Sequence, residues 1–293
     1  MEWRDIRCFA IFVVAREYVV FEFILCFFMA IIPWMFKNAV VPIGVRHQND
    51  ITWVGTGFLV VRRVSQDGVV PFLVTNRHVL EGQLSIVFSL KKIGTNDLKY
   101  IDVKCVNATN IPLYRFHANP DIDIAVLCLN AEALIKFNVE FPAFDIDKDA
   151  MTSAELREKG CDDGTLVYML GFTLGLVNAG SKEPLCRLGC VARMSEEQVN
   201  QQKNILVDIQ NFPGNSGSPL ITRPEFFSVD RSIALDRCVL LGVVHSYLPY
   251  QDQLVSAQTH QVVEVRSENS GIAKVHPVEY IRDIIDSFVA VEQ

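Results

Sequence analysis

From residue 38 onward the chain is made of short β-branched and apolar runs, separated by turn signals at intervals of roughly eight to twelve positions. That texture most narrows what it can fold into. Strands of this length, closely spaced and with few helical periods between them, read as an all-β sandwich or barrel. The expected strands cover 39–45, 52–63, 71–75, 83–90, 101–107 and 124–129, and then 165–171, 186–194, 204–209, 219–222, 238–246 and 261–266. Helical patterning is confined to 150–159 and to 277–290. In the latter, Val278, Ile281, Ile284, Ile285 and Phe288 recur at spacings of 3 and 4, and Pro277 stands where its missing N–H costs nothing. This segment reads as an amphipathic helix that closes the domain.

The stretch 130–163 is richer in charge and poorer in strand signals, so it reads as the connection between two halves, about 38–135 and 160–275. Together they would make one catalytic unit over 38–293. Ahead of it, residues 1–37 form a separate apolar segment. The part from 18 to 36 approaches the ~20 residues that a helix needs to cross a bilayer, although Glu22 inside it would cost ~2–3 kcal/mol on insertion. Three readings stay open for it: a membrane anchor, a helix packed on the protein or a partner, and sequence upstream of the natural start. The expected location is accordingly cytoplasmic or membrane-anchored.

A net charge of -7 argues against binding nucleic acid by neutralising phosphates. The 8 cysteines form no dense framework and no CxxC pair, and Cys186 and Cys190 stand at CxxxC spacing with no histidine or second pair nearby. They read as small apolar residues of a reducing compartment. No metal and no cofactor is expected.

Chemistry concentrates in three segments. In Phe212-Pro-Gly-Asn-Ser-Gly-Ser-Pro-Leu220, glycines on both sides of Ser216 allow positive φ, so consecutive N–H groups can point into one space beside a hydroxyl. Acyl transfer needs that arrangement, because its tetrahedral intermediate carries an oxyanion; Gly214 and Ser216 would supply the donors. In Phe72-Leu-Val-Thr-Asn-Arg-His78-Val-Leu80, an apolar strand runs into a polar turn that presents a histidine, as a general base requires. In Pro120-Asp-Ile-Asp123-Ile-Ala-Val-Leu-Cys-Leu129, Asp123 adjoins a strongly apolar run that would place its carboxylate against the second ring nitrogen of His78. Asp121, further from that run, would be solvated.

Taken in the order His, Asp, Ser, these segments resemble the trypsin/chymotrypsin family of serine proteases. The resemblance covers residue 38 to the end and implies two packed six-stranded antiparallel β-barrels with the site in the cleft between them. It implies a serine endopeptidase acting on protein or peptide substrates, with His78, Asp123 and Ser216 as the triad and Gly214 and Ser216 as oxyanion donors. Gly55-Thr-Gly-Phe-Leu-Val60 is similar to the family's strand ahead of the histidine, where Gly57 would leave room for the substrate chain. Val79 follows His78, where secreted animal members have a cysteine, so the chain looks more like the bacterial and organellar branch. With Asn215 in place of the zymogen-type aspartate, activation by cleavage is not expected. The pocket base falls at Gln210, whose neutrality disfavours an Arg/Lys-directed pocket. His245 resembles the histidine that lines the pocket of glutamyl endopeptidases. The other reading is an ordinary cleft-edge histidine, and a regulatory module with little proteolysis is the alternative for the whole chain.

Overall fold

The computed structural model describes residues 31–48, 50–65, 68–173, 183–225 and 235–289. A short helix α1 (Trp34–Ala39) runs straight into β1 (Val40–His47), followed by β2 (Asp50–Arg63), β3 (Val69–Thr75), the single turn α2 (Arg77–Leu80), β4 (Ser85–Lys91), β5 (Leu98–Lys104), β6 (Tyr114–Phe116) and β7 (Ala125–Cys128). The connection to the second half carries α3 (Ala131–Lys136), β8 (Phe144–Asp145) and α4 (Ser153–Glu158). Next come β9 (Leu166–Gly171), β10 (Leu185–Arg193), α5 (Glu196–Gln202), β11 (Ile205–Asp208), β12 (Pro219–Thr222), β13 (Leu240–Val255), β14 (Val262–Pro277) and the last helix α6 (Val278–Val289).

The fold is mostly β, as its texture implies, but only one of the two expected barrels closes. The second half is a closed six-stranded barrel in the order β10-β11-β14-β13-β12-β9. The first half is an open sheet in the order β5-β4-β1-β2-β3-β7-β6, with β8 pairing in parallel beside β2. Its two edges approach only just past β5, where Leu113 N–H donates to Cys105 O at 2.8 Å and Val106 bridges Pro112. Closure would need a longer last strand. β6 has 3 residues, too few to run a ladder along both β7 and β5.

Burial explains why β2 and β3 read as nearly continuous apolar runs. Successive side chains of a strand point to opposite faces, and here both faces are covered. Leu59 and Leu73 point into the sheet's own interior, among Ile43, Ile86 and Phe88. Phe58, Val60, Phe72 and Val74 point the other way, into a second core shared with Leu170, Phe172, Ile221 and Leu240 of the barrel. A third core fills the barrel itself, around Val167, Val207 and Leu241. The shared core is closed by α6, whose Val278, Ile281, Ile284, Ile285 and Phe288 are all buried. Each such side chain contributes about 1.5–3 kcal/mol.

Phe144 sits at the centre of that shared core, its ring 4.4 Å from Phe36 and 5.7 Å, edge-on, from Phe58. Phe36 belongs to α1 and Ile32 packs nearby, so the folded body begins ahead of residue 38 and takes in the end of the apolar stretch. Residues 18–30 of that stretch, with Cys8 and Cys26, lie outside the described residues. Among the described residues no helix is long and apolar enough to cross a membrane. Among the described residues no disulfide joins Cys105, Cys128, Cys161, Cys186, Cys190 and Cys238 to one another. Phe144→Ala should lower the unfolding free energy by about 3–5 kcal/mol in a urea titration, because the cavity is walled by two sheets that cannot both collapse into it. A loss below about 1 kcal/mol would show that the shared core is not rigid there.

Candidate active site

His78 is carried by α2. Asn76 precedes the turn but does not cap it; its side-chain Nδ2 instead donates to Asp123 O at 2.8 Å. Val79 and Leu80 are buried and pin the turn, and the Arg77 guanidinium lies 4.6 Å over the Phe116 ring. His78 is left exposed at the surface of this anchored element.

Asp123 stands between Ile122 and Ile124, which are buried. With both neighbours turned inward, its carboxylate faces His78. Oδ1 accepts the His78 backbone N–H at 3.1 Å, and Oδ2 lies 2.6 Å from His78 Nδ1. The carboxylate therefore holds the histidine at two points. Side-chain exposures of 51% for His78 and 26% for Asp123 leave the outer ring nitrogen within reach of a bound substrate. Asp121 is exposed, as expected of the competing carboxylate.

The serine loop approaches from the other half. Gly214 and Gly217 take positive φ, 99° and 85°, and a Cβ on Gly217 would sit 2.0 Å from Thr56 O. Only glycine is tolerated at 217. Neither Gly214 N–H nor Ser216 N–H enters a hydrogen bond among the described residues, so both donors remain free. A Cβ placed on Gly55 would lie 3.0 Å from Val79 Cγ2 and 3.3 Å from Ser216 O, so the elements carrying His78 and Ser216 meet at that glycine. Among the described residues no hydrogen bond joins Ser216 Oγ to His78.

Thr56, buried at the middle of β2, fastens the loop. Its N–H donates to Ser216 O at 2.9 Å and its hydroxyl donates to Gly214 O at 2.7 Å. The same hydroxyl accepts Phe172 N–H at 2.9 Å, while Thr56 O accepts the Thr75 hydroxyl at 2.7 Å. The neighbouring Gly57 has a different role from the one expected. A Cβ there would press within 2.7 Å of Ile43 Cδ1 and 3.0 Å of Leu73 Cδ1, so the residue makes room for the sheet's interior, not for a substrate.

Behind Asp123 lies a pair of histidines. His245 stands at a bulge in β13 and stacks on His276 of β14, with ring centroids 3.9 Å apart and planes 12° off parallel. His276 is buried and its Nε2 accepts Asp123 N–H at 2.9 Å. His245 Nδ1 lies 3.0 Å from Ser246 Oγ, and its Nε2 is enclosed without a hydrogen-bond partner among the described residues. Burial, reinforced by the neighbouring His276, Lys274 and His78, pushes the pKa of His245 down from 6.5 to about 2; burial lowers that of His276 as well. Gln210 is exposed and its amide lies beside Gly271.

A carboxylate-held histidine beside the first sheet thus meets a serine loop of the second half whose Gly214 and Ser216 N–H groups are unengaged. The chain belongs to the trypsin-like peptidase family, whose domain model matches residues 55–225, more than half of its length. Among solved structures it is similar to the protease domain of MamO from Magnetospirillum magneticum in its apo form, at 14% identity and a TM-score of 0.46 over 85% of this chain and 96% of that one. No curated protein sequence matches it.

Thr56, Asn76 and His276 are site residues that sequence reasoning passes over. Thr56 and Asn76 lie within segments whose signal comes from Gly55, Gly57 and His78, and His276 bears no local mark that sets it apart. Thr56→Val should destabilise the protein by about 2–4 kcal/mol, since Gly214 O and Phe172 N–H both lose a buried partner, and Thr56→Ser should recover most of it. An unchanged denaturation midpoint for the valine variant would refute that role. A second expectation concerns pH. With folded pKa values below that of the unfolded chain, His245 and His276 make the unfolded chain bind more protons below pH about 6.5, so stability should fall as pH drops through that value toward 5. Replacing His245 with Phe should flatten the decline; equal slopes for the two proteins would contradict it.

Proposed function

We propose that this chain is a serine endopeptidase. The observation that carries the reading is the 2.6 Å contact of His78 Nδ1 with Asp123 Oδ2, set opposite a serine loop whose Gly214 and Ser216 N–H groups are unengaged. In the proposed cycle His78 Nε2 takes the proton of Ser216 as its Oγ attacks the scissile carbonyl, and Asp123 stabilises the imidazolium that forms. The carbonyl oxygen becomes an oxyanion between the two N–H groups, which are preorganised and so need no rearrangement at that moment. His78 then returns its proton to the leaving amine. A water, deprotonated by the same nitrogen, attacks the acyl carbon, and His78 passes that proton to Ser216 Oγ as the acyl group leaves as a carboxylic acid.

The substrate is a polypeptide; the net charge of -7 opposes a nucleic acid. Gln210 and His245 are the residues proposed to line the pocket for the residue ahead of the scissile bond. Neither carries negative charge, so an arginine or lysine side chain would find no carboxylate there.

The lack of a hydrogen bond between Ser216 Oγ and His78 among the described residues supports a second reading, a regulatory module on the same fold that cleaves rarely. Such gaps are common in unliganded peptidases and shorten when substrate binds, so the endopeptidase reading is preferred. A fluorophosphonate probe separates the two: labelling of wild type but not of Ser216→Ala is expected, and no labelling of wild type would favour the module. Ser216→Ala should abolish turnover of unfolded protein substrates, while Asp123→Asn should lower kcat by about 10³–10⁴ with the fold intact. Undiminished cleavage by the serine variant would sink the assignment.

A further inference from the structure

Asp123 lies outside any strand, two residues before β7, so no ladder fixes its peptide. Its backbone is held by side chains. Asn76 Nδ2 donates to its carbonyl at 2.8 Å, and its N–H donates to His276 Nε2 at 2.9 Å. The carboxylate that meets His78 projects from a peptide clamped at both polar groups, and one of the clamps comes from the closed barrel.

His276 is suited to that task in only one protonation state. Its Nδ1 lies 2.7 Å from Lys203 O, and a carbonyl can only accept, so Nδ1 must carry the proton. Its Nε2 faces an N–H, so it must present a lone pair. The Lys203 carbonyl is itself placed by a left-handed residue, φ 55°, that ends α5. The ring is held in the remaining directions by the stacked His245 and by the edge of Tyr280, whose ring centroid is 6.3 Å away. Burial lowers the pKa of His276 and His117 lowers it further, against the raising effects of the Lys203 carbonyl and the Asp123 charge. The balance keeps the ring neutral.

We propose that His276 is a positioning residue for the catalytic dyad: as the neutral Nδ1–H tautomer it orients the Asp123 peptide, and through it the carboxylate that aligns His78. This rests on the peptidase reading for its effect on turnover, but not for its effect on the His78–Asp123 contact. Without the acceptor, the part-buried Asp123 N–H loses its partner, and the peptide is free to rotate away from His78. A shift of the dyad of even an ångström is enough to slow acyl transfer without changing how substrate binds.

The two amides divide the functions of the ring. In His276→Asn the side-chain nitrogen takes the place of Nδ1, so the bond to Lys203 O survives and the acceptor for Asp123 is lost. In His276→Gln the side-chain oxygen takes the place of Nε2, so that acceptor is kept. The full chain carrying each variant is compared with wild type by the far-downfield proton resonance of the His78–Asp123 hydrogen bond, by kcat and KM on an unfolded protein substrate, and by urea denaturation. In the asparagine variant the resonance is expected to vanish and kcat to fall about tenfold to a hundredfold, with KM within about twofold. The glutamine variant is expected to keep the resonance and remain within about threefold of wild-type kcat. A folded asparagine variant that keeps both would overturn the proposal, as would a glutamine variant that loses both to the same extent. Should the asparagine variant not fold, the glutamine variant decides alone, retention supporting the role and loss refuting it. If wild type shows the resonance yet neither turns over peptide nor labels at Ser216, the peptidase reading fails while the comparison of resonances still settles what His276 does.

Discussion

One buried threonine in β2 holds the two parts of the site in register. Thr56 uses its N–H, its carbonyl and both hydrogen-bonding modes of its hydroxyl, and its four partners, Ser216, Gly214, Phe172 and Thr75, come from both halves of the molecule. All of these bonds lie away from water, where an unpaired polar group costs more than a paired one gains. The serine loop cannot move without stranding several groups together. Free N–H groups at Gly214 and Ser216 can be left unengaged because the carbonyls of the same two residues are the ones tied to Thr56.

That registration depends in turn on how the two halves are held together. Three cores share the load, one inside each half and one between them. The shared core is built from strands that bury both faces, with Phe58 and Phe72 turned toward the barrel while Leu59 and Leu73 fill the sheet. Helix α6 then closes it from the C-terminal side. Ser153 on α4 also donates to Glu279 of that helix at 2.5 Å, so the long connection is fastened to the same seam. An open sheet can serve as well as a closed barrel on the first side, since the candidate site rests on β2, β3 and β7, which pair inside the sheet.

The histidines divide by environment. His78 is exposed and held by a carboxylate through Nδ1, with its outer nitrogen facing the cleft. His245 and His276 are enclosed and stacked, and desolvation keeps them neutral. Burial thus gives one residue type two settings: an exposed ring held by a carboxylate at the cleft, and an enclosed donor and acceptor behind it.

Strand positions, the amphipathic closing helix and the residue types of the site were legible in the sequence because each is written locally. Period, turn residues and the glycines around Ser216 are properties of neighbouring positions. β13 runs on to Val255 and β14 to Pro277, well past the expected ends at 246 and 266. The outer part of β13 pairs only with β14 and buries little, leaving no apolar alternation to read, while the inner part of β14 is set by its pairing with β11 and β13 at once. The short β6 and β8 and the helix α5 were equally silent, being set by what they pack against. The serine, histidine and aspartate that make up the proposed catalytic set were legible in the sequence alone. Which strands pair, that the first sheet stays open, and that Thr56 and His276 reach across to Gly214 and Asp123 were decided only by tertiary structure, since hydrogen bonds between residues more than a hundred positions apart leave no trace in local pattern.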